Sequence, residues 1–364
     1  MAADIAAPSL DYRPPLPRRR DMGIAIVGCG EIVEAAHLPA YRLAGLRVVG
    51  LYDVDGAKAE ALARAFGVGR TYPSLDALLA DPDAEVVDIA VPARHQPGVV
   101  AQVVERKRNV LCQKPLAETY AAAKGVVETC RRAGARVAVN QQMRWAPAVA
   151  ATRDILGRGW LGTPVQATIQ VNVLTPWDHW PWMNNMPGME FMYHSIHYMD
   201  AIRCLLGTPE RVFADGARFP GQPWRADTRT TTVLRFPGEA RALIADNHNN
   251  FASEDDWYAT FRVEGTEGVV KGTNGALYNY PVGREDTITF FSRALHPDMW
   301  FTPRLEGKWF PHAFMGSMGE LMRAIEEDRA PWNSAEDNLA TLRMVFAAMR
   351  SAEEGRVVAL SEID

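Results

Sequence analysis

From residue 23 to residue 145, short apolar runs alternate with helical segments without a break. The runs are GIAIVGCG (23–30), LRVVGLYD (46–53), AEVVDIAVP (84–92), NVLCQKP (109–115) and ARVAVNQQMRW (135–145). They are rich in β-branched residues and nearly continuous in hydrophobicity, which is how strands covered on both faces read. Between them lie IVEAAHLPAYRLA, DGAKAEALARAFG, SLDALLAD, QPGVVAQVVERK and TYAAAKGVVETCRRAG, all helical in period and composition. Ser74 stands where a helix N-cap belongs, and Gly67 where a helix ends. Alternation with such short connections gives a doubly wound parallel sheet with right-handed crossovers. Its ligand crevice lies at the carboxyl ends of the strands.

After about residue 150 the pattern changes. A helix, PAVAATRDILGRG, precedes the alternating strand TPVQATIQVNV, a Trp/Pro-rich loop (LTPWDHWPWMNNMPG) and a further helix around MEFMYHSIHYMDAIRCLLG. Later runs such as TRTTTVLRF and ARALIADNHN alternate apolar with polar residues, as antiparallel strands with one covered face do. Two closing helices follow. The expected division is an N-terminal Pro/Arg-rich arm (1–21), a Rossmann-type domain (22–143) and an α+β domain (144–364) built on a large, mostly antiparallel, open-faced sheet. The arm reads either as a disordered tail or as a segment packed on a neighbouring subunit or over a cofactor.

Composition narrows the class. The 364 residues are too many for one ordinary core, and a net charge of −5 argues against a nucleic-acid partner. No apolar run reaches the roughly 18 residues a membrane span needs, and no apolar leader accompanies the N-terminal arginines. The four cysteines, Cys29, Cys112, Cys130 and Cys204, form no CxxC pair. They read as reduced thiols of a cytoplasmic protein.

Four motifs carry chemistry. In GCGEIV, Gly28 allows a tight turn, Gly30 lets a pyrophosphate approach the backbone, and the helix start at Glu31 and Ile32 offers N–H groups to phosphate. Val33 replaces the usual third glycine. Asp53 ends the second strand some 25 residues after Gly28. That is close to the roughly 20 expected of an acid on the adenosine ribose, where a carboxylate repels a 2′-phosphate, so NAD is expected over NADP. Lys114 ends the fourth strand and is turned into the crevice by Pro115. There it can polarise a substrate oxygen or exchange a proton. Glu190, His194 and His197 share one helical face with Tyr193 at its edge. They suit acid–base work, a satisfied core or, with His179, His248 and His312, a metal; no metal is expected. Trp177, Trp180 and Trp182 stack on sugars or plug a core, and Asp178, Asn184 and Asn185 offer groups for hydroxyls. Arg144 is expected to meet substrate or coenzyme phosphate.

With these features in place, the chain resembles the glucose–fructose oxidoreductase / inositol dehydrogenase / rhizopine-catabolism family over about residues 22–360. GIAIVGCGEIVEAAHLPAY, VVDIAVPARHQPGVVAQVVERKRNVLCQKPLAET and SAEEGRVVAL carry the likeness. The resemblance implies hydride transfer between a nicotinamide nucleotide and a sugar or polyol, and a homodimer or homotetramer formed through the large sheet. It implies coenzyme contacts from Gly28, Gly30, Glu31, Ile32, Asp53, Pro92, His95, Gln113, Lys114 and Arg144. It makes Lys114 the lysine of the family's Glu-Lys-Pro motif and His197 the histidine of its Asp-x-x-x-His pattern, both expected on one substrate oxygen. Substrate contacts are expected from Lys114, Trp177, Trp180, His194 and His197. Two departures stand out. Gln113 replaces the family's glutamate, and Tyr193 its aspartate, so Tyr193, Glu190 or His194 would have to relay the proton. Two other readings stay open, the first of them raised by the loss of that aspartate. One is an enzyme that recycles bound NAD during elimination, epimerisation or glycoside cleavage. The other is a non-catalytic nucleotide-binding protein.

Overall fold

The N-terminal apolar runs become five parallel strands because each is apolar on both faces and followed by a covering helix. In the computed structural model, which describes residues 7–364 other than 178, 179, 279 and 281, the strands are β1 (Ile24–Val27), β2 (Val48–Tyr52), β3 (Val86–Ile89), β4 (Asn109–Cys112) and β5 (Val137–Val139). Their order is β2-β1-β3-β4-β5, with every pairing parallel. Direction reverses between β1 and β3, the switch point at which such sheets bind ligands.

Caps act where the sequence places them. Ser74 accepts the Ala77 N–H and Thr119 the Ala122 N–H, each opening a helix. Gly67 closes the helix Gly56–Phe66 in the left-handed region at φ +69°. The first helix departs from expectation in form. It passes through a π-helical turn, Val33–His37, before the α-helix Leu38–Ala44. Val33 is completely buried there, so the missing third glycine is replaced by core packing.

The compact units are discontinuous in sequence. One comprises Pro14–Gln142 and Phe310–Leu342; the other comprises the stretch ending at Arg13, Met143–Trp309 and Arg343–Ile363. Residues 310–342, which the sequence reading assigns to the C-terminal domain, thus belong with the parallel sheet. Asn333 exchanges backbone and side-chain bonds with Val139 at 2.8 and 2.9 Å, covering the β5 edge. Described arm residues make hydrogen bonds within the chain. Asp11 donates to Asp154, and the Arg18 and Arg19 N–H groups donate to Glu326.

The second unit holds a nine-stranded sheet among the described residues. Its strands are β6 (Pro164–Asn172), β7 (Arg211–Ala217), β8 (Arg229–Arg235), β9 (Arg241–Asn247), β10 (Tyr258–Gly265), β11 (Gly268–Thr273), β12 (Ile288–Ser292), β13 (Trp300–Phe301) and β14 (Val358–Ala359). All pairs are antiparallel except β6 with β9. Alternation along β8 buries Thr230, Thr232 and Leu234 and exposes Thr231, Val233 and Arg235. One face therefore carries the core and the other is open. No helix among the described residues is long and apolar enough to cross a membrane. All four cysteines are free thiols.

Candidate active site

In the parallel-sheet unit, candidate residues gather at the carboxyl ends of the strands. Gly28 follows β1 with φ +96°, and a Cβ there would lie 2.5 Å from the Ala90 carbonyl oxygen, so only glycine fits. A Cβ on Gly30 would meet nothing within 4 Å, which leaves its backbone open to a ligand. Asp53 holds this turn: its Oδ2 accepts the Cys29 N–H at 2.7 Å and its Oδ1 the Asp55 N–H at 2.8 Å. Burial, helped by the Asp53 charge, pushes the Cys29 thiol up to about 12 and keeps it inert. Pro92 and the exposed His95 follow β3, where His95 accepts from Arg94 Nε at 3.1 Å. An open glycine turn, a carboxylate at the end of β2 and a lysine past β4 fit a dinucleotide.

The lysine is held by a buried polar relay. The Gln113 N–H continues the ladder to Ile89 at 2.9 Å. The Gln113 side-chain oxygen accepts the Lys114 N–H at 2.7 Å, and its amide nitrogen lies 3.3 Å from His37 Nε2. His37 is fully buried, with Nδ1 2.7 Å from Asp88 Oδ2, which also accepts the Tyr41 hydroxyl at 2.6 Å. The Asn140 amide approaches His37 Nε2 at 3.3 Å. These contacts set the imidazole with Nδ1–H toward Asp88 and its Nε2 lone pair toward the two amides. A carboxylate at 113 could not donate to that lone pair, so Gln113 matches the interior beneath it. Gln96 donates to the Pro115 carbonyl at 2.6 Å, and the Lys114–Pro115 peptide is cis. Lys114 itself is half-buried, and desolvation lowers its ammonium to about 7.

Sequence reasoning missed His37, Asp88 and Asn140. The signal was present: Asp88 is an acid inside an otherwise apolar buried strand, VVDIAV, and such a charge needs a partner.

In the second unit the expected alignment of Glu190, His194 and His197 is corrected. The segment Phe191–Ser195 is a π-helical turn leading into the α-helix Ile196–Leu206. In an α-helix, positions i and i+5 stand about 140° apart. The π turn instead brings Ser195 Oγ to 2.7 Å from Glu190 Oε2. Glu190 also accepts the Thr230 hydroxyl at 2.6 Å, and Asp246 Oδ2 lies 2.8 Å from Ser195 Oγ. The His194 ring packs at 5.0 Å from Trp177 and 4.5 Å from His248. His197 lies instead against Trp309 at 5.0 Å, and Tyr193 meets Trp182 edge-on at 5.5 Å. Trp177 is buried, Trp182 exposed, and Trp180 half-exposed beside Tyr280 at 6.0 Å. Asp178 and His179 lie outside the described residues.

Arg144 is corrected too. It is buried and grips Asp200 with two bonds of 2.7 and 2.8 Å, so its guanidinium is committed to the fold. Asp246 and His248 went unassigned or underweighted in the sequence because ALIADNHN reads as a strand running into a polar loop. Their two-residue spacing, which puts both on one sheet face, was the available clue.

Two family models match the chain: an oxidoreductase family with an NAD-binding Rossmann fold over residues 22–141, and the GFO/IDH/MocA C-terminal domain over residues 149–271. The D-apiose dehydrogenase of Paraburkholderia graminis is 28% identical over 93% of this chain and 90% of its own. The D-xylose 1-dehydrogenase (NADP(+)) 2 of Haloferax volcanii is 25% identical over 93% of this chain and 100% of its own. Among solved structures, an oxidoreductase from Agrobacterium radiobacter, in complex with NAD+, L-tartaric acid and magnesium, superposes with a TM-score of 0.82. It shares 21% identity, covering 94% of this chain and 100% of its own.

Proposed function

The chain belongs to the GFO/IDH/MocA family of NAD(P)-dependent oxidoreductases, and we propose that it is an NAD-dependent dehydrogenase acting on a secondary alcohol of a sugar, sugar derivative or cyclitol. The sugar class is supported by relatives named for apiose, xylose and inositol. The preference for NAD rests on Asp53, whose carboxylate is fixed beside the glycine turn; the Haloferax relative is named for NADP.

A bound nicotinamide coenzyme supplies the hydride acceptor. Gly28, Gly30, Glu31, Ile32, Asp53, Pro92, His95 and Gln113 are the residues that would hold it. Lys114 carries the reading. An amine brought to about 7 by burial takes a hydroxyl proton when neutral and polarises a carbonyl oxygen when charged. The Asp88–His37–Gln113 relay fixes the backbone from which it projects. His197 and Tyr193 remain the second unit's candidates for proton exchange. Trp180 and Trp182 are its accessible aromatic faces for a sugar, with His194 behind them on Trp177. We place the protein in the cytoplasm and assign the open sheet face to contact between copies of the chain. Light scattering tests that contact.

The deciding experiment is a sugar and polyol panel followed at the reduced-coenzyme band with NAD and NADP in parallel. Steady accumulation of NADH on at least one polyol is expected. Absence of any coenzyme reduction across the panel would overturn the reading. Tyr193 in place of the family aspartate favours one second reading, in which coenzyme is reduced and reoxidised within a turnover. That reading requires product formation without accumulating NADH.

A further inference from the structure

Three buried polar side chains converge in the second unit, each with one atom that lacks a hydrogen bond of good geometry. Glu190, Asp246 and His248 each present one ligand atom, and these atoms lie within 4.8 Å of one another. Glu190 and His248 are completely buried and Asp246 is 4% exposed. Glu190 Oε1, Asp246 Oδ1 and His248 Nε2 all lack a hydrogen-bond partner. Glu190 Oε1 and His248 Nε2 stand 3.5 Å apart, too far for a hydrogen bond of ordinary strength.

The other atom of each side chain is held. Glu190 Oε2 accepts from Thr230, Asp246 Oδ2 meets Ser195, and His248 Nδ1 lies 2.8 Å from Thr175 Oγ1. Hydroxyls thus orient both carboxylates and fix the histidine with Nε2 facing inward, the pattern of outer groups that position metal ligands. The backbone builds the arrangement deliberately. Asp246 pairs with Thr230 across β8 and β9, His248 follows two residues later on the same face, and the π turn carries Glu190 with Ser195 against them.

Charge points the same way. Two carboxylates, Glu190 and Asp246, are buried together. Leaving buried charges uncompensated is costly, and a cation bound by all three atoms removes that cost.

We propose that Glu190, Asp246 and His248 bind a divalent metal ion of the zinc class. One imidazole nitrogen with two carboxylate oxygens suits zinc, manganese or iron(II) better than calcium or magnesium, which take oxygen ligands. Three protein ligands leave a position for water or a substrate oxygen. This site departs from the expectation of no metal in the sequence reading.

The test is metal content and stability of the purified full-length chain, prepared without a metal-affinity tag. About one zinc-class ion per chain is expected by mass spectrometry after zinc dialysis. Chelation should lower the melting temperature, and zinc should restore it. Asp246→Asn and His248→Gln should lose the ion. Thr175→Val, which alters only the histidine's orienting partner, should weaken zinc affinity about 10- to 100-fold with the fold intact by circular dichroism. The proposal is overturned if wild type binds no more zinc, manganese or iron(II) than the double variant Asp246→Asn/His248→Gln, or if chelation leaves melting unchanged. None of these readouts needs turnover, so their failure is separate from failure of the dehydrogenase reading.

Discussion

Replacing Lys114 with methionine removes a group whose titration the proposed chemistry uses directly. Burial lowers its ammonium from 10.5 to about 7, so the folded chain favours the amine. A group titrating there is about one-tenth neutral at pH 6 and about nine-tenths neutral at pH 8. Alcohol oxidation uses the amine as proton acceptor, so kcat/KM should rise about tenfold between those values and then level. Ketone reduction uses the ammonium and should fall over the same range. Lys114→Met should lose this limb together with about 100- to 10,000-fold in kcat. Stability gives a second readout with a fixed sign. Above about pH 7 the unfolded chain holds a proton on Lys114 that the folded chain has released, so this group's contribution rises with pH. Between pH 7 and 9 it adds at most about 2 kcal/mol in urea unfolding, less to the extent that water reaches the half-buried side chain, and the methionine variant should lack that increment. Wild-type rates in Lys114→Met, or a wild-type limb near the ordinary lysine value, would refute the assignment.

Four further substitutions have outcomes fixed by their surroundings. Gly30→Ala should fold with unchanged stability, because its Cβ meets nothing, yet bind NAD more weakly by calorimetry. Gly28→Ala should instead lower stability by about 1–3 kcal/mol, since its Cβ would strike the Ala90 carbonyl from a positive φ. Equal stability of the two variants would contradict this account of the turn. Asp53→Asn keeps an acceptor for Cys29 but loses the charge; the NAD-over-NADP ratio in kcat/KM should drop about 10- to 100-fold. An unchanged ratio would move cofactor selection elsewhere. Asp200→Asn strips the buried Arg144 of its charged partner and should cost about 3–5 kcal/mol in urea unfolding. A loss below about 1 kcal/mol would show the pair to be dispensable.

The parallel sheet was legible because buried strands and capped helices announce themselves locally. Ser74, Gly67 and the Gly28 turn act where the sequence reading puts them. The open-faced sheet was legible from alternation in TRTTTVLRF and ARALIADNHN. Three features were not. The π turns at Val33–His37 and Phe191–Ser195 have α-helical sequences, and only tertiary contacts select the wider turn. That is why Glu190 and His197, aligned on an ideal helix, enter different surroundings. Arg144 looked like a phosphate ligand because its partner, Asp200, lies 56 residues away. The return of residues 310–342 to the parallel-sheet unit rests on contacts such as Asn333 with Val139, which no local pattern encodes.

The central claim is that hydride leaves a sugar carbon for the nicotinamide. It is tested most directly by a polyol from the active panel deuterated at the oxidised carbon, with mass spectrometry of the released coenzyme. The account predicts NADH carrying one deuterium from that carbon, formed at the rate of ketone production. Unlabelled coenzyme, with deuterium retained in the product or lost to water, would contradict it.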